Sequence, residues 1–549
     1  MKTIIGAAIG NCVHVGGLHH FLKLAEAEGY QTKSRGPAVS VKRIIEAVKT
    51  EKPDIFALSY RLTPDVAGNL IQEIARAINE LGKIETRFIF GGPPPVANLA
   101  KISGFFEKVF DGSEPVETIK AYLRGASGIS EKAVFANDLI GRIKQKYPYP
   151  ILRHHFGRPS LTDTLDGIRK IALAEVLDVI SIGTDQNAQE NFFRPGEIIA
   201  TQQGAGGVPV RSYEDMAALY QSSRCGNYPL MRCYAGTRDL LKWAEMSVET
   251  IHNAWAAIPL CWYSVIDGRS NRSLVEAITE NQNVMHWYAE RNIPVEVNES
   301  HQWSLRDAHD SLAVTMAYLA AYNAKKAGVR NYVSQFMFNT PPETWPNMDI
   351  AKMMAKLEMI QQLEDDTFTV YREVRAGIAH FSSDPNIAKG QLAASALISL
   401  AMKPHILHVV GFSEGDHATG HDELIESCKI VHGVIQNGLK GLPDFMADPL
   451  IQARKEKLKA DAGLILDALS FIGSRVDDPH SDPRTIATAI ETGILDAPHF
   501  RGNPFLKGDI LTRNINGAWY AIDPSTGEPI EEKSRLAKIL MNGKSHKKS

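Results

Sequence analysis

Residue types and spacings that could do chemistry begin in the first loop, Cys12-Val13-His14-Val15-Gly16-Gly17, directly after the apolar run Thr3 to Ile9. An imidazole in such a place is a metal ligand or a proton carrier, and the glycines after it let a large flat ligand approach the backbone closely. A second group joins Ser59, at the end of Ile55-Phe-Ala-Leu58, to Gly91-Gly92, at the end of Arg87-Phe-Ile-Phe90. The third group is a set of later loops: Thr184 to Asn191 with Asp185, Arg232 to Asp239 with Arg224 just before it, Asp267 to Arg272, and Gly411 to Glu423. A guanidinium fork matches a carboxylate bidentately, so Arg224, Arg232, Arg238 and Arg269 are candidates for holding a small anionic substrate, with Asp185 and Glu414 as acidic partners. His417 and His421 stand four apart and would share a helix face, where they either bind a metal or serve as hydrogen-bonded loop residues.

These residues need strands to carry them. From residue 1 to about 125, short apolar strands (3–9, 54–59, 87–91, 108–110) alternate with amphipathic helices (18–28, 40–50, 65–81, 115–124), a pattern that predicts a parallel sheet with helices on both faces. Ligands of such folds bind beyond the carboxyl ends of the strands, where His14, Ser59 and Gly91 fall. Pro93-Pro94-Pro95 predicts an extended loop there rather than a helix, and the domain closes at Gly125-Ala-Ser-Gly128. Residues 126–159 read as a linker. Over 160–476 the alternation resumes, with strands at Val179-Thr184, Pro229-Tyr234, Ile258-Ser264, Pro294-Asn298, Tyr332-Phe338, Thr367-Val370 and Ile406-Val410. Seven strands with helices between them predict a (β/α)₈ barrel of the TIM type whose eighth strand is not evident, and such a barrel keeps its chemistry at the C-terminal strand ends. Residues 477–549 form a C-terminal appendage, with a hairpin around Asn516-Gly517 and a closing helix.

The spacing Cys12-x-His14-x-x-Gly17 is similar to the Asp-x-His-x-x-Gly signature of cobalamin-binding domains, and Ser59 and Gly91-Gly92 follow where that family has its Ser-x-Leu and Gly-Gly elements. The resemblance implies a Rossmann-like (flavodoxin-like) cobalamin-binding domain over 1–125, with His14 as the lower ligand of cobalt. Cys12 then stands beside that ligand, and Gly17, Ser59, Gly91 and Gly92 make room for the nucleotide tail. Two positions depart from the family: Cys12 replaces aspartate, and Arg61 replaces leucine. The aspartate orients the histidine from the second shell, and a thiol is a weak substitute, so histidine-on binding is expected to survive in a looser form with help from Asn11.

Residues 200 to 430 resemble the large subunit of glutamate mutase, through Pro229-Leu-Met-Arg232 with Gly236-Thr237, Arg269 to Leu274, and Pro294-Val-Glu-Val-Asn298. That likeness implies adenosylcobalamin as cofactor, Arg232 on a substrate carboxylate, and Glu414 or Glu423 toward the adenosyl ribose. Asn298 stands where the family has another arginine, so the expected substrate is a small carboxylic acid other than glutamate. The chain is thus expected to be an adenosylcobalamin-dependent isomerase, a carbon-skeleton mutase with both parts fused and the barrel covering the upper face of the corrin. The alternatives are a corrinoid methyltransferase using His417, His421 and Cys428 as zinc ligands, and a non-catalytic cobalamin carrier. An aminomutase using pyridoxal phosphate lacks an evident Schiff-base lysine.

Composition narrows the classes further. At 549 residues the chain is long enough for two or three domains. A net charge of −3 with 22% charged residues asks for neither nucleic acid nor a membrane surface. The C-terminal Lys544-Ser-His-Lys-Lys-Ser549 reads as a frayed tail. Met1-Lys-Thr-Ile4 is too short and glycine-broken for a signal peptide. Cys12, Cys225, Cys233, Cys261 and Cys428 form no CxxC pair, which fits a reducing cytoplasm. The expected partner is a small-molecule carboxylate, and the expected assembly a homodimer.

Overall fold

Strands β1 (Thr3–Ala8), β2 (Gln31–Ser34), β3 (Ile55–Ser59), β4 (Arg87–Gly91) and β5 (Lys108–Phe110) alternate with helices in the computed structural model. The structure describes residues 2–114, 116–127, 135–234 and 236–545, with the backbone alone at 117, 126, 127, 378 and 542–545. In β1, β3 and β4 successive residues are buried whichever face they point to. A strand apolar on both faces is stable only between two helical layers, which is the arrangement of a parallel sheet. The sheet is parallel throughout, in the order β2-β1-β3-β4-β5. Helix Gly16–Ala27 packs so close to β1 that a Cβ on Gly6 would lie 2.9 Å from Leu18 Cδ1. The order reverses between β1 and β3, and a crevice opens there at the carboxyl edge.

Two local expectations are corrected. The proline run does not leave an extended loop: helix Pro94–Ser103 starts within it, because first-turn N–H groups have no helical partner and a proline there loses nothing. The edge strand β2 is polar and largely exposed, so it carried no hydrophobic signal. Gly128, expected to close this domain, lies outside the described residues.

The chain divides into two compact units, Met1–Ala133 and Val134–Ser549. In the second, β6 (Ile151–Phe156), β7 (Val179–Ile182), β8 (Leu230–Cys233), β9 (Ala256–Ile258), β10 (Val295–Val297), β11 (Asn331–Phe338), β12 (Thr369–Ala376) and β13 (Ile406–His408) form one parallel sheet. Its order, β8-β7-β6-β13-β12-β11-β10-β9, makes a nearly closed barrel, and a backbone hydrogen bond from Ala254 N to Met231 O (2.9 Å) bridges the seam beside β9. The eighth strand is β6, inside the stretch expected to be a linker. β9 also ends earlier than expected, at Ile258, which moves Trp262 and Tyr263 into the following loop.

Helices such as Leu274–Glu290 and Asp310–Lys326 surround the sheet. Toward the C-terminus, helix Pro449–Ile472 packs on this layer, and β14 (Leu511–Ile515) pairs antiparallel with β15 (Ala518–Ile522). Asn516 and Gly517 supply the two positive φ values, 53° and 78°, that the tight turn requires. Helix Glu532–Ser545 follows, and residues 546–549 of the basic tail lie outside the described residues. No helix among the described residues is long and apolar enough to cross a membrane.

Candidate functional site

At the carboxyl edge of the first sheet lies a cleft of about 580 Å³ with an apolar interior that includes Phe21, Ala57, Ile89, Phe110 and Ile119. His14, Gly16, Gly17, Ser59, Gly91 and Gly92 line it together, so the structure gathers most of the residues that the sequence singled out. A Cβ added at Gly16, Gly17 or Gly91 would meet no atom within 4 Å, whereas one at Gly92 would lie 2.6 Å from Tyr60 O. Gly92 therefore serves the fold, and the other three keep space open. The Ser59 hydroxyl is buried and has no hydrogen-bond partner among the described residues. A buried polar atom left in this way is costly unless something else satisfies it.

The loop before helix Gly16–Ala27 explains the presentation of His14. Tyr60 donates its hydroxyl to Asn11 Oδ1 (2.9 Å), and Ala38 N donates to Cys12 O (2.9 Å), which pins the loop on both sides. His14 stands exposed beyond these anchors, without a hydrogen bond or ion pair among the described residues. Cys12 does not line the cleft. It is fully buried in the apolar core with Ile9 and Val39, because a thiol packs as a small hydrophobe. It is thus no orienting partner for His14, and Asn11 is already occupied by Tyr60. The cleft also holds two groups that sequence reasoning did not place there, His20 and Arg61. Their signal was the departure from the family pattern at Arg61.

A charged ring fills the middle of the barrel. Arg153 donates from Nε to Glu373 Oε1 (2.8 Å) and from Nη1 to Ser181 Oγ (3.3 Å). Gln335 Nε2 bridges Glu373 Oε1 (3.3 Å) and Glu296 Oε1 (3.1 Å). Trp255 Nε1 donates to Glu296 Oε2 (2.8 Å), and Arg232 Nη2 lies 3.1 Å from the same oxygen. Arg232 is fully buried, between the rings of Tyr234 and Trp255 at 4.8 and 4.6 Å. Burial raises the Glu296 carboxyl, and Arg232 pulls it back. Arg232, expected on a substrate carboxylate, is ion-paired with Glu296 inside the ring, and its three guanidinium nitrogens make no hydrogen bond among the described residues.

The other expected side chains scatter. Asp185 caps helix Gln186–Asn191 and is clamped by Arg211 at 2.6 and 2.8 Å with no exposure, so it holds a loop. Arg224 lies before β8, at the amino end of the barrel, stacked 4.3 Å from Tyr220 and donating to Pro229 O. The chemistry of a barrel belongs to the opposite end. Arg238 pairs with Glu197 at 2.7 Å, and Arg269 sits 5.4 Å over the Tyr263 ring. Glu423 accepts from Gly420 N and Ser413 Oγ and meets His417 Nε2 at 2.9 Å, while His417 Nδ1 meets Asp416 at 2.8 Å. Both nitrogens of His417 are therefore taken. Among the described residues no group of three metal-binding side chains converges, and Cys428 is buried in the core. Ala235, in the loop after β8, lies outside the described residues.

What the carboxyl end of the barrel does gather is Tyr234, His155, Arg375 and Glu414. Two donors converge on His155 Nε2, the Tyr234 hydroxyl (2.8 Å) and Arg153 Nη1 (2.7 Å). Burial, reinforced by Arg153, Arg232 and Arg375, pushes the His155 ring far below its usual pKa, so it is neutral. Glu414 lies 2.8 Å from His154 Nε2 and is held below its usual pKa, its burial outweighed by His154 and Arg375. Arg375 follows Glu373 on the inward face of β12, and its one hydrogen bond among the described residues runs from Nε to Ala376 O (3.3 Å).

No protein-family model matches the chain. Among solved structures it is similar to a novel cobalamin-binding protein from Desulfitobacterium hafniense DCB-2, with 27% sequence identity over 22% of this chain and 58% of that one, at a TM-score of 0.20. It is also similar to the methanol:cobalamin methyltransferase complex MtaBC from Methanosarcina barkeri, with 24% identity over 23% of this chain and 47% of that one, at a TM-score of 0.20. A third likeness, to the cobalamin-dependent S-adenosylmethionine radical enzyme OxsB, covers 80% of this chain and 56% of that one with 8% identity and a TM-score of 0.19. The matches span about half the length of each of those chains.

Proposed function

We propose that this chain is a cobalamin-dependent enzyme, and within that class an adenosylcobalamin-dependent isomerase that rearranges the carbon skeleton of a small carboxylic acid. The observation that carries the reading is the partnerless Ser59 hydroxyl in a glycine-walled cleft that also holds a free imidazole, His14. The residues present fit the cofactor. His14 would hold the cobalt from below through a ring nitrogen. The apolar interior suits a flat aromatic base, Ser59 Oγ would satisfy itself on the nucleotide tail, and Gly16, Gly17 and Gly91 leave the room. When bound, adenosylcobalamin supplies a carbon radical by homolysis of its cobalt–carbon bond.

The residues of the barrel hold the substrate and keep its protons in place. Tyr234 directs its hydroxyl at the neutral His155 ring, which fixes the orientation of that O–H, and Glu414 remains an acceptor. Methyl transfer through zinc is the weaker reading. Both nitrogens of His417 are occupied, and burial raises the Cys428 thiol far out of the range in which it would offer a thiolate.

The test is uptake of cobalamin by the full-length protein, followed by absorbance after gel filtration. One corrinoid per chain is expected, and His14→Ala should lower affinity at least tenfold and move the spectrum of the bound cofactor toward the form without a lower imidazole. Conversion of a carboxylic acid into its isomer, with adenosylcobalamin and not with methylcobalamin, then separates mutase from methyltransferase. A wild-type protein that retains no corrinoid sinks the proposal.

A further inference from the structure

Three arginines point into the barrel, Arg153, Arg232 and Arg375, and two of them are neutralised by their own glutamates, Glu373 and Glu296. Arg375 is the exception. It stands on the inward face of β12, one residue before the strand ends at Ala376, level with Met337 of β11 and His408 of β13. It makes no ion pair among the described residues, and Nε is its one donor in use. Glu414 is near enough to feel its charge but makes no ion pair with it, so the terminal nitrogens of Arg375 remain open to an anion.

We propose that Arg375 anchors the carboxylate of the substrate at the barrel mouth, and that the substrate presents a single carboxylate there. This rests on the reading of the barrel as the substrate-binding half. A carboxylate fits better than a phosphate for two reasons. The free edge of one guanidinium satisfies two oxygens in a plane, and the neighbouring Glu414 carboxylate would repel a dianion. A second carboxylate would have to compete with Glu373 or Glu296 for the other two guanidiniums, Arg153 and Arg232. Two further neighbours, Tyr234 and His155, are hydrogen-bonded to each other, so they set shape and polarity around the anchored group.

Calorimetric titration of the full-length protein with butyrate, glutarate and inorganic phosphate tests this. Butyrate is expected to bind at one site per chain, glutarate no more tightly, and phosphate at least tenfold more weakly. Arg375→Met should weaken butyrate at least thirtyfold and Arg375→Lys should restore part of it, with near-ultraviolet circular dichroism unchanged in both. Equal butyrate affinity in Arg375→Met overturns the assignment, as does an absence of butyrate binding to the wild type, tighter binding of phosphate, or a tenfold preference for glutarate. The same titrations on His14→Ala keep the claims apart: butyrate binding that persists when corrinoid uptake is lost leaves Arg375 standing while the cobalamin reading falls.

Discussion

Ser59 carries a buried hydroxyl that no partner among the described residues satisfies. An unsatisfied buried hydroxyl costs about 1–3 kcal/mol. Ser59→Ala should therefore leave the cofactor-free protein equally stable or more stable by about 1 kcal/mol, while cobalamin binding weakens about tenfold through one lost hydrogen bond. Thermal melts with and without cobalamin read both effects, and a variant less stable without cofactor and equal in affinity would contradict this role. His14, Ser59 and the glycines were legible in the sequence because they sit at strand ends, where side chains point into the crevice regardless of what packs below. The arginines were not. Arg232 and Arg375 both serve the barrel interior, and what separates the ion-paired charge from the one without an ion pair is the presence of a glutamate on another strand, Glu296 for Arg232. No local spacing encodes that.

Strands explain the next miss. Ile151-Leu-Arg-His-His-Phe156 does not read as a buried strand, because the interior positions Arg153 and His155 are polar, and the alternation that marks a half-buried strand is erased. Its strand character comes from long-range partners: the ladder to β7 and β13, and the bond of Arg153 to Glu373. The seven strands that were legible have apolar segments bounded by turn residues. The ring also yields a test at this scale. Removing one partner of a buried pair strands the other charge, at a cost of about 3–5 kcal/mol, whereas neutralising both costs far less. Arg232→Met should lose about that much stability in urea titration, and adding Glu296→Gln should recover part of it, since glutamine carries no charge to strand and keeps one carbonyl oxygen to accept from Trp255 or from Gln335. Additive losses in the double variant would show that the ring is not electrostatically coupled.

Across the whole molecule the two units differ in what they bury, and pH should tell them apart. The N-terminal unit has three histidines, His14, His19 and His20, all exposed. The second unit buries His155, His301 and His408, whose pKa values burial pushes well below the ordinary range, with nearby arginines adding to the effect, and His309, which burial lowers to about 4. An unfolded chain protonates these imidazoles near pH 6.5, while the folded one takes up the proton only at lower pH. The unfolded state therefore binds more protons in that window, so the stabilisation is complete above pH 6.5 and is lost as pH falls, by about 1.4 kcal/mol per pH unit for each histidine. Asp349, raised by burial to about 6, opposes this between pH 3.8 and 6, because the folded state holds its proton more tightly, and it offsets one histidine. His405, lowered by burial to about 4, adds to the loss, while Glu296, Glu299 and Asp496, raised by burial, oppose it as Asp349 does. Scanning calorimetry should show the barrel transition at a lower temperature at pH 5 than at pH 7.5. If it stays fixed over that range, the neutral histidines are not built into the barrel as described.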